Sequence, residues 1–159
     1  MKNNIQHYNH RKYWKYKDIA PPPNKVNIIT KIIALYCLFY VKRCDAFNCA
    51  STGADLFAGA VFKTPPSLPH GLNGIIFNPY VKVGSNCIIF HQVTLGDDGK
   101  ECCNAPSIGD NVIIGAGAKI IGKIHIGDNV VIGAGAIVVT DVPDNCIVIS
   151  PKATCKIRK

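Results

Sequence analysis

The sequence is short of acidic residues and has no pair of cysteines at CxxC spacing. Ten Asp and Glu stand against 18 Lys and Arg, a formal net charge of +8 over 159 residues. The eight cysteines include a vicinal pair, Cys102–Cys103. None has the spacing of zinc ligands, so no metal is expected and we interpret the thiols as small hydrophobic residues.

A secretory signal and a long hydrophobic run are also missing. The first 17 residues are polar and aromatic, without an apolar h-region, which predicts a cytoplasmic protein with reduced thiols. The longest apolar run, Ile32–Val41, is half the length of a bilayer span. We predict that this run is a buried helix or a helix between subunits, in preference to a membrane anchor, and expect no integral membrane insertion.

The positive charge is concentrated at the two ends of the sequence. Residues 1–45 hold nine Lys and Arg against Asp18 and Asp45, and the tail from Lys152 adds four more. These basic ends either form solvated surfaces or attract a phosphate-rich ligand. Nucleic acid is not expected as a partner, because no recognised binding module accompanies the charge.

The most informative feature that is present is an apolar repeat with a period of six. Neither a helix, with a period of 3.6, nor a flat strand, with a period of 2, fits this spacing. A period of six indicates short strands separated by corners and wound into a solenoid, with glycine at the tight turns. The repeat consists of an aliphatic residue and, four positions later, a second apolar residue: Ile108, Ile114, Ile120, Ile126, Ile132 and Val138, followed by Val112, Ala118, Ile124, Val130, Ala136 and Val142.

The repeat also divides the chain. Residues 1–45 are predicted to be an N-terminal arm with helices, broken by Pro21–Pro23, and the second helix covers Val26 to about Arg43. Residues 46–149 form the solenoid and residues 150–159 a basic tail. Ile108 lies thirteen positions after Leu95, one more than two periods. We therefore expect the intervening segment to loop out at a corner, where such insertions commonly carry function.

Three segments give the solenoid a family resemblance: LPHGLNGIIFNP, VTLGDDGK and the run from Ala105 to Asn145. Over about residues 46 to 150 the chain resembles the hexapeptide-repeat acyltransferases, and within them the serine acetyltransferase-like group. The resemblance implies a left-handed parallel β-helix that assembles as a homotrimer with active sites between subunits. It also implies an acetyl-CoA-dependent O-acetyltransferase that acts on a small hydroxyl acceptor, with L-serine favoured and cysteine biosynthesis as the setting.

The resemblance places the general base at His70, with Asp55 fifteen positions earlier as its carboxylate partner. A histidine of near-neutral pKa suits proton removal from a hydroxyl, and a carboxylate fixes its tautomer. His91 falls at an outward or corner position and is the rival base. The family's serine enzymes carry glutamine at this position, which favours a binding role, so we assign His91, together with Asn104, to the acceptor site.

The resemblance also assigns one solenoid edge to acetyl-CoA. Gly96, Ala116 and Ala134 are its small residues, and Lys152 in the tail lies nearest the adenosine phosphates. The acceptor is less certain, because Pro69 replaces the aspartate before the base and Cys103-Asn104 replaces an Arg-His pair. The tail also departs from the family pattern at Ser150–Ala153.

Three alternatives remain open from the sequence. Short relatives with an LPHG-type segment are associated with sugar O-acetylation in surface-polysaccharide synthesis. A non-catalytic solenoid scaffold is a second alternative. A zinc enzyme of the γ-carbonic anhydrase type is the least favoured, because His70, His91 and His125 include no closely spaced pair.

Overall fold

In a computed structural model, the described residues form two helices followed by a solenoid of thirteen short strands. The structure describes residues 8–19, 27–54, 59–151, 154–155 and 157. Helix α1 spans His10–Ile19 and helix α2 spans Ile28–Phe47, four residues beyond the predicted end. Asn27 caps α2 because its side-chain oxygen accepts a hydrogen bond from the backbone N–H of Thr30 at 3.0 Å.

The strands form three parallel sheets that the chain visits in turn. Sheet 1 contains β1, β3, β6, β9 and β12; sheet 2 contains β2, β4, β7 and β10; sheet 3 contains β5, β8, β11 and β13. This topology is a parallel β-helix, as the period of six predicts. The strands are Ser51–Thr52 (β1), Val61–Phe62 (β2), Ile76–Phe77 (β3), Lys82–Val83 (β4), Ile88–Ile89 (β5), Thr94–Gly96 (β6), Ser107–Ile108 (β7), Ile113–Ile114 (β8), Lys119–Ile121 (β9), His125–Ile126 (β10), Val131–Ile132 (β11), Ile137–Val138 (β12) and Ile147–Val148 (β13).

The repeated apolar residues fill the interior of the solenoid. All six aliphatic residues of the primary repeat are buried, and so are five of their six partners. The exception is Ile124, which is partly buried and packs against this core. Aliphatic residues recur at these positions because they fill a close-packed interior between parallel sheets.

The corner between sheets 2 and 3, which we call the ladder corner, explains the repeated IGDN motif. Its asparagines adopt positive φ, and their side chains hydrogen-bond from coil to coil. Aspartates form a second ladder, in which the Asp128 carboxylate accepts from the N–H of Asp110 at 2.7 Å. Gly109 is required beside them, since a Cβ there would lie 2.4 Å from Asp128 Oδ1. The motif is therefore structural. The asparagines are Asn86, Asn111, Asn129 and Asn145.

The insertion lies at the corner between sheets 1 and 2, which we call the loop corner. It joins β6 to β7, which are neighbours in chain order and would need only a single six-residue step. Strand pairing shows its size: Thr94 pairs with Lys119, an offset of 25, whereas Ser107 pairs with His125, an offset of 18. The insertion is thus seven residues long, and the expectation of a looped-out segment is confirmed.

The two helices pack on the first coil through a second, largely aromatic core. Tyr13 is fully buried, and its hydroxyl donates to Asp45 Oδ1 at 2.6 Å and contacts Thr52. Burial raises the pKa of Asp45, although the hydrogen bond from Tyr13 opposes the shift. Lys17 is also buried, and desolvation lowers the pKa of its ammonium group to about 8. Within the described ranges, neither helix combines the length and apolarity that a bilayer crossing would require.

Candidate active site

His70 lies in the loop that enters the second coil, and buried neighbours hold this loop in place. Leu72 is fully buried in the aromatic core, and the N–H of Gly74 donates to the carbonyl of Asn48, after α2, at 2.9 Å. Gly71 and Gly74 adopt positive φ, which lets the chain turn sharply on both sides of Leu72. The His70 side chain itself is exposed. The backbone around His70 is thus fixed while its imidazole is exposed, as expected of a side chain that contacts a substrate.

His91 lies beside His70, at the corner between sheets 3 and 1. The two ring centroids are 4.9 Å apart with an interplanar angle of 80°, and the ring of Phe90 lies 5.9 Å from that of His70. Nδ1 of His91 is buried and has no hydrogen-bond partner. The structure therefore brings the predicted base and its rival together, which their separation of 21 positions does not reveal.

The same corner continues past Ala116 and Ala134. The N–H of Gly117 donates to the carbonyl of His91 at 3.0 Å, and that of Gly135 donates to the carbonyl of Ala116 at 2.8 Å. His91, Ala116 and Ala134 thus occupy equivalent positions in successive coils. We call this column, with His70 above it, the histidine corner.

Gln92 is an unusual residue in the histidine corner. Its φ is 59°, whereas the equivalent positions in the other coils, Gly74, Gly117 and Gly135, are all glycines with positive φ. A left-handed conformation costs a residue with a Cβ about 1–2 kcal/mol, and such strain clusters at functional sites. The sequence carries a signal for this site: IFHQV replaces the IGAGA of the next two coils, so a departure from the repeat marks it.

Gly96 and Asn104 lie elsewhere in the chain. Gly96 ends β6 and pairs with Ile121, the last residue of β9. Ala116 precedes β9, so it lies at the other end of the sheet 1 strands. The prediction that Gly96, Ala116 and Ala134 share one edge is therefore wrong for Gly96. The reason is the length of the insertion, which shifts the later coils by seven residues.

Asn104 is held within the insertion at the loop corner. Its amide Nδ2 lies 3.3 Å from both carboxylate oxygens of Asp98. The pKa of Asp98 is lowered, first by the backbone N–H of Lys100 and further by Asn104. A second carboxylate, Asp97, accepts from Asn78 Nδ2 at 2.8 Å and so fixes the start of the loop.

The remaining predicted residues fall in two groups. Asp55 and Lys152 lie outside the described residues, so their roles stay predictions. His125 is exposed in sheet 2, where its Nδ1 lies 3.0 Å from Ser107 Oγ, away from the histidine corner. In the described part of one chain, no three His, Cys, Asp or Glu side chains are grouped closely enough to hold a metal ion.

Comparison with known proteins shows which proteins the solenoid is similar to. Residues 105–140 match the family model described as bacterial transferase hexapeptide (six repeats). The chain is 41% identical over 99 residues to a serine acetyltransferase of Synechococcus elongatus, covering 62% of this chain and 40% of that protein. The solenoid is thus similar to the hexapeptide-repeat part of serine acetyltransferases.

Solved structures support the same assignment. Serine acetyltransferase of Brucella abortus in complex with coenzyme A has a TM-score of 0.63 and 30% identity, covering 89% of this chain and 51% of that one. The soybean serine acetyltransferase apoenzyme has a TM-score of 0.68 and 27% identity, covering 89% and 53%. The predicted fold class, a left-handed parallel β-helix with a short helical N-terminal segment, is confirmed. The chain spans about half the length of these two structures, or less in the case of the Synechococcus relative.

Proposed function

We propose that this protein is an acetyl-CoA-dependent O-acetyltransferase whose principal acceptor is L-serine. The observation that carries the proposal is the histidine corner, where His70 and His91 stand at the head of a column of small residues. Serine acetyltransferases are the relatives that this solenoid resembles in sequence and in fold. A cytoplasmic location stays a prediction.

His70 is proposed as the general base. Its exposed imidazole takes the proton of the acceptor hydroxyl as the oxygen attacks the thioester carbon, and then returns that proton to the sulfur of CoA as the carbon–sulfur bond breaks. A carboxylate at Asp55 would hold the ring in one tautomer and stabilise its charged form. His91, in contact with His70, is proposed to line the acceptor pocket.

Acetyl-CoA is proposed to lie along the column below the histidines. Ala116 and Ala134 leave this edge free of large side chains, so an extended pantetheine chain can approach the backbone. The coenzyme A complex of the Brucella relative supports this class of substrate. Lys152 is proposed to bind the phosphates of the cofactor.

The distribution of these residues favours active sites that are shared between subunits. Gly96 and Asn104 lie at the loop corner, across sheet 1 from His70 and Ala116. Within one chain, the loop corner and the histidine corner lie at opposite ends of the sheet 1 strands and cannot both contact one substrate. In a homotrimer built on a three-fold axis, the loop corner of one subunit can face the histidine corner of the next. We therefore propose a homotrimer with three such composite sites.

A sugar hydroxyl is the second candidate acceptor. Pro69 stands where the resemblance expects an aspartate to hold the serine ammonium group. The rings of His70, His91 and Phe90 form a partly aromatic wall, and such rings pack well on the apolar face of a sugar.

The test is thiol release from acetyl-CoA in the presence of L-serine or of a panel of free and nucleotide-linked sugars. We expect release that depends on one acceptor class, and a loss of at least 100-fold in kcat for His70→Ala. His125→Ala is the matched control and should keep its activity, because that imidazole lies on another sheet. Failure of every acceptor, together with absence of CoA binding, would leave the scaffold hypothesis standing.

A further inference from the structure

Helix α2 carries an apolar face that the fold leaves in solvent. One side of the helix packs into the aromatic core through Cys37, Leu38 and Val41. On the opposite side, large apolar residues are between 50% and 70% exposed. They are Ile28, Ile29, Ile32, Ile33, Leu35, Tyr36 and Phe39. Together they form a patch of the size that each partner buries in a standard interface, about 800 Å².

The charges around this apolar patch all have one sign. Lys31, Lys42 and Arg43 are exposed beside it, and the helix has a single acidic residue, Asp45, which is buried against Tyr13. Helix α1 adds further exposed cations, Arg11, Lys12 and Lys15, against one exposed acid, Asp18.

This charge pattern selects the occupant of the patch. Two copies of the patch placed face to face would bring like charges together, which opposes self-association. An anionic surface with an apolar layer beneath it satisfies both features, because the cations meet phosphate groups while Ile, Leu, Tyr and Phe enter the acyl boundary. Since no described helix is suited to cross a bilayer, the helix would lie on the membrane.

We propose that α2 docks this protein on the surface of an anionic lipid bilayer. The docked helix lies parallel to the bilayer plane, with Ile32 and Phe39 inserted and Lys42 and Arg43 at the phosphate level. Docking leaves the solenoid outside the lipid, because the face of α2 that packs on the rest of the chain points the other way. The proposal is independent of the acetyl acceptor.

The first test is co-sedimentation of the full chain with vesicles of phosphatidylcholine containing 30 mol% phosphatidylglycerol, compared with pure phosphatidylcholine. We expect binding to the anionic vesicles that weakens with salt. Phe39→Asn combined with Ile32→Asn should weaken binding at least tenfold. Lys42→Ala and Arg43→Ala should each weaken it about fivefold. The matched control is Ile147→Asn, which removes an equally exposed apolar residue from the last strand of the solenoid.

A second measurement avoids disruptive variants. Phe39→Trp keeps the surface apolar and adds a reporter, while the natural Trp14 is buried. Vesicles with brominated acyl chains should quench this variant and leave the parent protein nearly unaffected. Two outcomes would overturn the proposal. One is the absence of binding to anionic vesicles by the full chain. The other is a concentration-dependent oligomer in sedimentation velocity that the Ile32/Phe39 variant dissociates, since the patch would then be a subunit interface.

Discussion

The proposed active site shared between subunits makes a quantitative prediction about mixtures of two inactive variants. His70→Ala removes the base from the histidine corner. Gly96→Phe places a bulky ring at the loop corner. A Cβ at Gly96 would lie 3.1 Å from the flexible end of Ile121 and 3.7 Å from the side-chain methyl of Thr94, and no backbone atom is as near, so the fold should tolerate the change. Each variant alone carries one damaged edge in every subunit, and each is expected to be inactive.

Mixed trimers restore a fraction of the sites that follows from the geometry. A site is intact when its histidine corner comes from a Gly96→Phe subunit and its loop corner comes from a His70→Ala subunit. In an equal, random mixture each condition is met half the time. Co-expressed variants should therefore regain about one quarter of the parent activity.

The assay is thiol release from acetyl-CoA per milligram of co-purified protein, at several ratios of the two variants. The matched control pairs His70→Ala with Ala116→Phe, which damage the same corner and should give no recovery. If both pairs stay inactive although trimers form, each site lies within one chain and the composite site is wrong.

Three further predictions concern stability. Lys17→Met should raise Tm at pH 7, because the buried ammonium destabilises the folded state below its pKa of about 8. Deprotonation relieves this penalty as the pH rises towards the ordinary lysine value, so the advantage of the variant should shrink by about 1 kcal/mol between pH 7 and pH 9; a constant difference would contradict this. The free energy of unfolding of Asn111→Ala should be about 1 kcal/mol lower than that of Asn111→Gly, because φ is 57° there, so the alanine variant should unfold at lower urea. Gly115→Ala brings a Cβ to 2.5 Å from the backbone N of Ala134 and should destabilise more than Gly117→Ala, where the space is open and only the φ of 72° disfavours a Cβ; equal urea midpoints would refute the steric reasoning.

The interior of the solenoid could be predicted from the sequence because burial there depends on a local rule. Each aliphatic residue of the repeat points inward whatever the neighbouring coil contains, so the period alone identifies Ile114 and Ile120 as core residues. The exposed patch on α2 could not be found in this way. Its apolar run predicts burial, and only the packing of α1 on one side shows which face remains in solvent.

The contact between His70 and His91 was also hidden from the sequence. The two residues belong to different coils, and the loop that carries His70 follows no repeat. Its position depends on tertiary contacts, since Leu72 is buried among aromatic residues of the helices. The departure of IFHQV from IGAGA is nevertheless visible in the sequence, and it marks His91 and Gln92 once the coils are aligned.

The misplacement of Gly96 has a more general cause. A period of six determines the length of an insertion only up to multiples of six, because insertions of one and of seven residues restore the same inward-facing phase. The edge on which a residue lies depends instead on a full coil of three strands, or 18 residues. With a one-residue insertion, Leu95 would pair with Ile114 in the next coil. Gly96 would then lie at the same corner as Ala116. The insertion has seven residues, so Leu95 is followed by Ile120 and Gly96 lies across the sheet. An extra six residues, which do not alter the repeat, thus decide whether Gly96 lies at the corner of Ala116 or at the other end of sheet 1, where the proposed site would need two subunits.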